Sequence, residues 1–323
     1  MIRIGVDIGG TKMAIAALDA SGAELFRHRG DAPNGAYPDA LRALADAVRD
    51  AEREAGTPCT VGIGTPGAVS AGGVLRNAFA SVLNGKPLKP DLERLLGREV
   101  RFANDANCFA LSEASDGAAA GASVVFGVII GTGCGGGVVV NGAVLTGPNA
   151  IAGEWGHNPL PWPDDSERPG PECYCGKRGC LESFISGPGF ARDYAVHAGV
   201  AIGSIDAAGV VARASDGNAQ AAGALDRYVS RVARGLASIV NVLDPDVIVL
   251  GGGMSNVPHL YDAVPARLPQ FVFSDAVVTR IVPPRHGDSS GVRGAAWLWS
   301  LDEARAITGA ARAPRAGAGT AGA

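Results

Sequence analysis

The sequence has no apolar run that could cross a membrane and no excess of positive charge. A bilayer crossing takes about 20 consecutive apolar residues, and no stretch of the 323 residues approaches that length. The formal net charge of -4 at pH 7 offers no general attraction to nucleic acid or anionic lipid. The first residues, MIRIGVD, enter a strand pattern directly, without the layout of a signal peptide. These absences predict a cytoplasmic protein with neither a membrane nor a nucleic acid as partner.

Length and composition permit two domains of ordinary size. Hydrophobic residues make up 47% of the chain and charged residues 19%, which is enough apolar material for a large core. A run of Gly and Ala at residues 117–121 marks a change in composition. We predict a small N-terminal α/β domain at 1–117, joined by a C-terminal helix at about 290–306, and a large α/β domain at 118–289. The tail at 307–323, rich in Gly, Ala and Pro, is predicted to be disordered.

Two glycine-rich turns each follow one strand pattern and lead into another. The turn at residues 9–12 is not a Walker P-loop, because no Gly-Lys-Ser/Thr follows and the next element is a strand. The run at 131–137 satisfies G-x-G-x-x-G, but a dinucleotide fingerprint should open a helix, and a strand pattern follows here. Such turns let backbone N–H groups approach phosphate oxygens, so the pair predicts a site for a nucleotide tail. For the first turn alone, an ordinary hairpin is equally consistent.

Three further positions at strand ends are candidates for the same site. Asp7 ends the first strand and is placed to bind Mg²⁺, through water. Gly67 follows a buried strand at residues 60–65, in a loop of the kind that lines a cleft. Residues 251–253 are three glycines after a buried strand, and they could pass close to a nucleotide base or ribose.

The segment Asn-Asp-Ala-Asn at residues 104–107 lies at a predicted corner between a strand and a helix. Asp105 would therefore sit near the positive end of the helix. One interpretation is that its carboxylate caps the helix, which is the commoner function of an isolated Asp there. We favour a catalytic interpretation, because the same chain carries two phosphate-type turns and a Cys/His cluster. In it, Asp105 accepts a proton from a hydroxyl group that attacks ATP.

Three of the six cysteines, Cys173, Cys175 and Cys180, are crowded into one short loop, whereas the others lie in predicted core elements. In a reducing compartment this crowding favours a metal site over a disulfide framework. With His157 as the fourth ligand, the cluster would form a tetrahedral Cys₃His zinc site. Such a site is structural, because all four positions are filled. The alternative is a set of free cysteines, or one disulfide.

Two acidic residues flank the proposed ligands in sequence. Glu154 precedes His157 and Glu182 follows the last cysteine, so folding around zinc would draw both carboxylates into one place. Several fixed acceptors near a cleft suit a sugar, whose hydroxyl groups need them. Taken singly, each glutamate could equally be surface charge.

These motifs resemble the ROK family (repressor, open reading frame, kinase) of bacterial sugar kinases, within the actin-like, hexokinase-type ATPase superfamily. The resemblance covers nearly all of residues 4–299 and implies an α/β, ribonuclease H-like fold with two domains around a cleft. The segments at 154–162, 173–177 and 286–291 look most like the family's fructokinase (manno-fructokinase) branch. The motifs that carry the resemblance lie at residues 5–12, 104–107, 131–133, 153–157, 173–182 and 249–253.

The resemblance also implies a function for individual residues of this chain. Asp105 would be the catalytic base, and the zinc ligands would be His157 with the three clustered cysteines. Sugar hydroxyls would be held by Asn104, Glu154, His157 and Glu182, with Gly67 nearby. The remaining positions would bind the nucleotide and its Mg²⁺: Asp7, Gly9, Gly10, Thr11, Lys12, Gly131, Thr132, Gly133, Gly251 and Gly252.

The implied activity is ATP-dependent phosphorylation of a hexose, D-fructose first, at its 6-hydroxyl, by a homodimer. Glucose, mannose and N-acetylglucosamine are alternative substrates within the same family. Some ROK members are sugar-sensing transcriptional regulators with a helix-turn-helix domain, but here the first strand pattern begins by Ile2. A zinc-ribbon nucleic-acid binder is disfavoured by the acidic charge balance and the single cysteine cluster.

Overall fold

A computed structural model describes residues 1–78 and 81–310 of the chain. The chain forms two compact units: Met1–Ala103 together with the C-terminal segment from Ala295, and Asn104–Gly294. These limits differ from the predicted boundaries at 117 and 289, because the helix after residue 104 packs within the second unit. In the described part of the chain, no helix has both the length and the apolar character needed to cross a membrane.

The first unit is built on a five-stranded sheet in the order β3-β2-β1-β4-β7. Strands β1 to β3 form an antiparallel meander, and β4 runs parallel to β1. Helix α1 buries Leu41, Leu44 and Val48 along one face and ends at Gly56, whose φ of 65° favours glycine. The prediction of a strand at 60–65 is confirmed. The elements are β1 (Arg3–Ile8), β2 (Lys12–Leu18), β3 (Glu24–Asp31), α1 (Tyr37–Ala55), β4 (Thr60–Thr65), β5 (Ala68–Val69), β6 (Leu75–Arg76), α2 (Leu88–Leu96) and β7 (Arg101–Asn104).

The second unit repeats this strand order around a second sheet, β10-β9-β8-β11-β12. Strands β8 to β10 are antiparallel, β11 is parallel to β8, and β12 is parallel to β11. The repeat of a glycine turn between antiparallel strands is therefore part of a repeated sheet topology. The elements that follow β7 are α3 (Asp105–Ser115), β8 (Val124–Ile130), β9 (Cys134–Val140), β10 (Ala143–Val144), α4 (Glu182–Ile185), α5 (Gly187–Ala198), α6 (Ala207–Ser215), α7 (Ala219–Leu243), β11 (Val247–Gly251), α8 (Leu260–Arg267), β12 (Arg280–Val282), α9 (Ser290–Trp297) and α10 (Leu301–Ala310).

Glycines in the second sheet explain why α3 belongs to this unit. A Cβ atom on Gly127 of β8 would lie 2.6 Å from the Cβ of Ala110, and one on Gly137 of β9 would lie 2.9 Å from it. On the opposite side of β9, a Cβ on Gly136 would lie 2.8 Å from the carbonyl oxygen of Gly153. Residues 135–137 are therefore strand residues that admit close neighbours on both faces, and only 131–133 form the predicted turn.

The C-terminal segment contains two helices where the sequence predicted one at 290–306. Helix α9 ends at Trp297, and α10 begins after Ser300, whose hydroxyl accepts from the N–H of Glu303. The Glu303 carboxylate in turn accepts from the N–H of Ser300, so the pair forms a capping box that the sequence analysis missed. Helix α10 extends to Ala310, although disorder was predicted from 307. The rest of that tail, 311–323, lies outside the described residues.

Candidate active site and metal centre

The beginning of α3 positions Asn104 and Asp105. Asn104 is the N-cap, because its Oδ1 accepts a hydrogen bond of 2.8 Å from the backbone N–H of Ala106. Asp105, the first helical residue, accepts from the same N–H at 2.8 Å. Burial raises the pKa of the Asp105 carboxyl above its ordinary value, although hydrogen bonds from Ala106 and Asn104 oppose the change. Capping, which the sequence left open for Asp105, is therefore already provided by Asn104.

The electrostatic effects on Glu154 show which ionisable side chains lie near it. Desolvation raises the pKa of Glu154, the imidazole of His157 lowers it, and the negative charges of Asp105 and Glu182 raise it further. These side chains therefore occupy one region of the second unit. Glu182 is held there because its Oε2 accepts a hydrogen bond of 2.9 Å from the N–H of Cys134, the first residue of β9. The structure thus brings together carboxylates that are far apart in sequence.

The ligand atoms of the Cys/His cluster lie close enough together to hold one metal ion. One ligand atom from each of His157, Cys173, Cys175 and Cys180 lies within 4.8 Å of all the others, and no disulfide joins the cysteines. The sulfurs of Cys175 and Cys180 are 3.5 Å apart, and Nδ1 of His157 is 3.5 Å from the sulfur of Cys173. Ligands at Zn–S distances of about 2.3 Å would be separated by about 3.8 Å around a tetrahedron. The donor set and its spacing therefore fit zinc.

A buried ion-pair network fixes the loop that leads into the cluster. Both carboxylate oxygens of Glu167 accept from arginines of α7: Oε1 from Arg231 and Arg234 at 2.7 Å each, and Oε2 from Arg234 at 2.8 Å. Burial alone would raise the pKa of Glu167, but these hydrogen bonds outweigh it and lower the pKa to about 2. Arg234 also donates to the carbonyl oxygen of Trp162 at 2.7 Å. This network was not predicted from the sequence.

The glycine turn of the second unit is connected to the start of α5. The N–H of Gly131 donates to the carbonyl oxygen of Gly133 at 2.9 Å, and the carbonyl oxygen of Gly131 accepts from Gly187 at 2.8 Å. Thr132 is exposed at the tip of the turn. Backbone and hydroxyl groups at such a tip can donate to phosphate oxygens.

A cavity of about 770 Å³ opens beside this turn and is lined mainly by apolar side chains, as a nucleoside site would be. The predicted contacts Gly251 and Gly252 do not line it. A Cβ on Gly251 would lie 2.5 Å from the ring of Phe109, and one on Gly252 would lie 2.4 Å from the carbonyl oxygen of Ile130, so both glycines permit close packing. The lining residues are Gly131, Thr132, Gly187, Pro188, Ala191, Arg192, Ile202, Gly203, Ile205, Asp206, Ala207, Ala208, Val211, Gly253, Met254, Asn256 and Val257.

Seven of these cavity residues come from α5 and α6, two helices that were not predicted to contact the nucleotide. A local signal for α5 was present, because Ser186 precedes Gly-Pro. Its hydroxyl accepts from the N–H of Gly189 and caps the helix, with Pro188 in the first turn. No local signal placed the helix beside the glycine turn.

The candidate residues of the first unit lie around the turn between β1 and β2. The N–H of Gly9 donates to the carbonyl oxygen of Lys12 at 2.8 Å, and the Lys12 ammonium pairs with Asp31 at 2.6 Å. Asp7 is half-buried near the end of β1. Gly67 has a φ of 70°, and a Cβ there would lie 2.0 Å from the carbonyl oxygen of Arg76, so glycine is required sterically. Nucleotide and sugar binding by these residues stays a prediction.

This chain is similar over nearly its whole length to proteins of a known family. The sequence profile of the ROK family matches residues 3–301. The chain belongs to the ROK family. It is 40% identical over 305 residues to the N-acetyl-D-glucosamine kinase of Pectobacterium atrosepticum, covering 92% of this chain and 99% of that one. The enzyme of the same name from Escherichia coli O127:H6 is 40% identical over 303 residues, with 92% and 99% coverage.

Solved structures show the same fold. A ROK hexokinase from Thermus thermophilus superposes with a TM-score of 0.83 at 33% identity, covering 94% of this chain and 99% of that one. A ROK glucokinase from Streptomyces griseus, solved with glucose and AMPPNP, gives a TM-score of 0.73 at 26% identity, with 95% and 100% coverage. The predicted hexokinase-type, actin-like fold is therefore confirmed.

The relatives establish the class of activity, but they do not establish which sugar is phosphorylated. The chain is a ROK-family sugar kinase, a phosphotransferase that acts on a sugar hydroxyl. Its similarity to the fructokinase branch stays a prediction, since none of the relatives described above is named a fructokinase.

Proposed function

We propose that the protein is an ATP- and Mg²⁺-dependent hexose kinase that phosphorylates D-fructose on its 6-hydroxyl, with Asp105 as the general base. One observation carries the assignment of the base: Asp105 begins a helix that Asn104 already caps, and it lies in the region that contains Glu154, Glu182 and His157. A buried carboxylate with a raised pKa, placed among such groups, has the properties of a catalytic proton acceptor.

The residues of this region have distinct tasks in the proposed reaction. Asp105 accepts the proton of the 6-hydroxyl, and its raised pKa makes it a stronger base than an ordinary Asp. A loose phosphoryl-transfer transition state needs little proton removal early, so a carboxylate suffices. Glu154 and Glu182 accept hydrogen bonds from other hydroxyls and fix the sugar so that its 6-hydroxyl faces Asp105. Mg²⁺, for which Asp7 is the predicted contact, supplies neutralisation of the phosphate charge when bound.

The proposed zinc ion takes no part in this chemistry. Its four ligands would be His157, Cys173, Cys175 and Cys180, so no position is left for water or sugar. Because His157 follows Glu154 closely and Cys180 precedes Glu182, the ion would hold both sugar-binding segments at a fixed separation.

D-Fructose is the first candidate because the segments at 154–162, 173–177 and 286–291 resemble the fructokinase branch. N-acetyl-D-glucosamine is the second, because relatives named for that sugar are 40% identical over nearly the whole chain. The two differ in the position of the carbonyl carbon, which is carbon 2 in D-fructose and carbon 1 in N-acetyl-D-glucosamine. At carbon 2, N-acetyl-D-glucosamine carries an acetamido group that needs additional space and a hydrogen-bond partner.

A coupled assay of ADP release decides between them. The purified protein is given Mg·ATP and, in turn, D-fructose, D-mannose, D-glucose and N-acetyl-D-glucosamine, and kcat/KM is compared. We expect D-fructose to give the highest value, with the phosphate located on oxygen 6 by ³¹P-coupled NMR of the product. A higher value for N-acetyl-D-glucosamine would assign that sugar instead, and no turnover with any hexose would refute the kinase proposal. Homodimer formation, which the family resemblance implies, is tested by sedimentation velocity.

A further inference from the structure

The imidazole of His157 has two partners, on opposite sides of its ring. Nδ1 faces the sulfur of Cys173 at 3.5 Å, on the side of the metal cluster. Nε2 is 2.9 Å from the hydroxyl oxygen of Tyr174, which lies between the ligands Cys173 and Cys175 in sequence. The two rings meet edge to face, with centroids 5.1 Å apart and an interplanar angle of 86°. Tyr174 is not among the proposed metal ligands or sugar contacts.

A histidine can bind a metal through Nδ1 only if Nδ1 carries a lone pair, which in the neutral ring puts the proton on Nε2. An acceptor at Nε2 stabilises that tautomer and fixes the plane of the ring. The Tyr174 hydroxyl is such an acceptor at hydrogen-bonding distance. We propose that Tyr174 is a positioning residue that holds His157 in the tautomer and orientation required of the fourth zinc ligand. The proposal rests on the proposed zinc site and concerns the protein without sugar, since a sugar hydroxyl held by His157 would compete with Tyr174 for Nε2.

Because of the position of Tyr174 in the chain, this hydrogen bond connects two segments of the site. The loop that carries Cys173 and Cys175 turns at Gly176, whose N–H donates to the carbonyl oxygen of Cys173 at 2.9 Å. His157 comes from a separate segment, the 3-10 helix Trp155–His157. The contact from Tyr174 to His157 therefore joins the cysteine loop to the remaining ligand. Pre-arranged ligands retain a metal better, because less ordering accompanies its binding.

The solvent exposure of Tyr174 determines how much metal affinity is lost when its hydroxyl is removed. Its side chain is 73% exposed, so water can take the place of the hydroxyl in a variant. Loss of such an outer partner of a metal-binding histidine weakens metal binding by about 10- to 100-fold. Because water can substitute, we expect the low end of that range, about tenfold.

The test compares the wild type with Tyr174→Phe, which keeps the aromatic ring and removes only the hydroxyl. Tyr37→Phe is the matched control, since it removes a hydroxyl that donates to Asp91 at 2.8 Å in the first unit, which contains none of the four proposed ligands. The full chain is loaded with zinc, and transfer of zinc to an excess of a chromogenic chelator is followed with time. In parallel, Co²⁺ is bound in place of zinc, and its ligand-field absorption reports the ligand geometry.

We expect Tyr174→Phe to release zinc about tenfold faster than the wild type and to alter the Co²⁺ absorption, while Tyr37→Phe matches the wild type in both. The melting temperatures of the metal-free wild type and Tyr174→Phe should agree, which a purely structural effect would not allow. Equal release and equal spectra for Tyr174→Phe and wild type would overturn the proposal. So would a wild type that binds neither metal, a result that leaves the kinase proposal to the sugar assay.

Discussion

The buried pairing of Glu167 with two arginines allows a quantitative prediction of stability. The Glu167 side chain is 4% exposed, and those of Arg231 and Arg234 are 5% and 7% exposed. The pKa of Glu167 is lowered from 4.5 to about 2, because the arginine hydrogen bonds outweigh the opposing effect of burial. Since the folded pKa lies below the unfolded one, the stabilisation is complete above about pH 4.5. It is lost as the pH falls from there towards 2.

The size of this stabilisation follows from the two pKa values. The difference between 4.5 and about 2 corresponds to about 3 kcal/mol of unfolding free energy. Glu167→Gln keeps the shape of the side chain and removes its charge, which leaves both guanidinium groups without this counter-charge. We therefore expect the variant to be about 3 kcal/mol less stable than the wild type at pH 7.

Urea unfolding of both proteins at pH 7, 5, 4 and 3, followed by tryptophan fluorescence and circular dichroism, measures the difference. Asp165→Asn is the control, because Asp165 lies in the same loop but pairs with Arg168 on the surface at 2.7 Å. Exposed pairs contribute at most about 1 kcal/mol, so the control should stay near the wild type.

The expected gap between wild type and Glu167→Gln is largest at pH 7 and narrows below pH 4.5. A gap of the same size at every pH would show that lost packing, and not the ionised carboxylate, destabilises the variant. A gap no larger than that of Asp165→Asn at pH 7 would refute the reasoning from burial.

Three further predictions concern the active site and its supports. Asp105→Asn should keep the fold, because Asn104 still caps α3, while kcat in the coupled assay falls by about 10²–10⁴; a rate near that of the wild type would remove Asp105 from its proposed function. Cys175→Ser should lower zinc content, measured by elemental analysis, together with the melting temperature, whereas Cys59→Ser should leave the zinc content unchanged. Gly137→Val should destabilise the protein by about 1–3 kcal/mol, since even a Cβ there would lie 2.5 Å from the carbonyl oxygen of Ala106; an unchanged melting temperature would contradict the close packing of α3 on β9.

The features that were predicted correctly depend on signals between near neighbours. The alternation of Val61 and Ile63 with glycines predicted a buried strand at residues 60–65, and β4 has these limits. The strand after the second glycine turn excluded a dinucleotide fingerprint, because a hairpin follows directly. Likewise, the spacing of Cys173, Cys175 and Cys180 indicated a metal cluster whose ligand atoms the structure brings within 4.8 Å.

The errors occurred where packing between distant segments decides the outcome. Composition suggested a boundary at residues 117–121, but α3 belongs to the second unit because glycines of β8 and β9 admit it closely. Contact of Gly251 and Gly252 with the nucleotide stays a prediction, and what the structure adds is that their missing side chains make room for Phe109 and Ile130. In both cases a glycine-rich pattern marks a close approach, and the pattern does not say what approaches.

The sequence by itself determined the chemical groups of this protein: a carboxylate at the start of a helix, two glycine turns, and a set of soft metal ligands. Only the tertiary structure decided that Asn104, and not Asp105, is the cap, that Tyr174 contacts the imidazole of His157, and that α5 and α6 line the cavity. The physical reason is that a local pattern fixes the conformation of a segment, whereas the neighbours of a side chain depend on which surfaces pack together. Glu167 shows this most directly, because its buried partners lie 64 and 67 residues further along the chain.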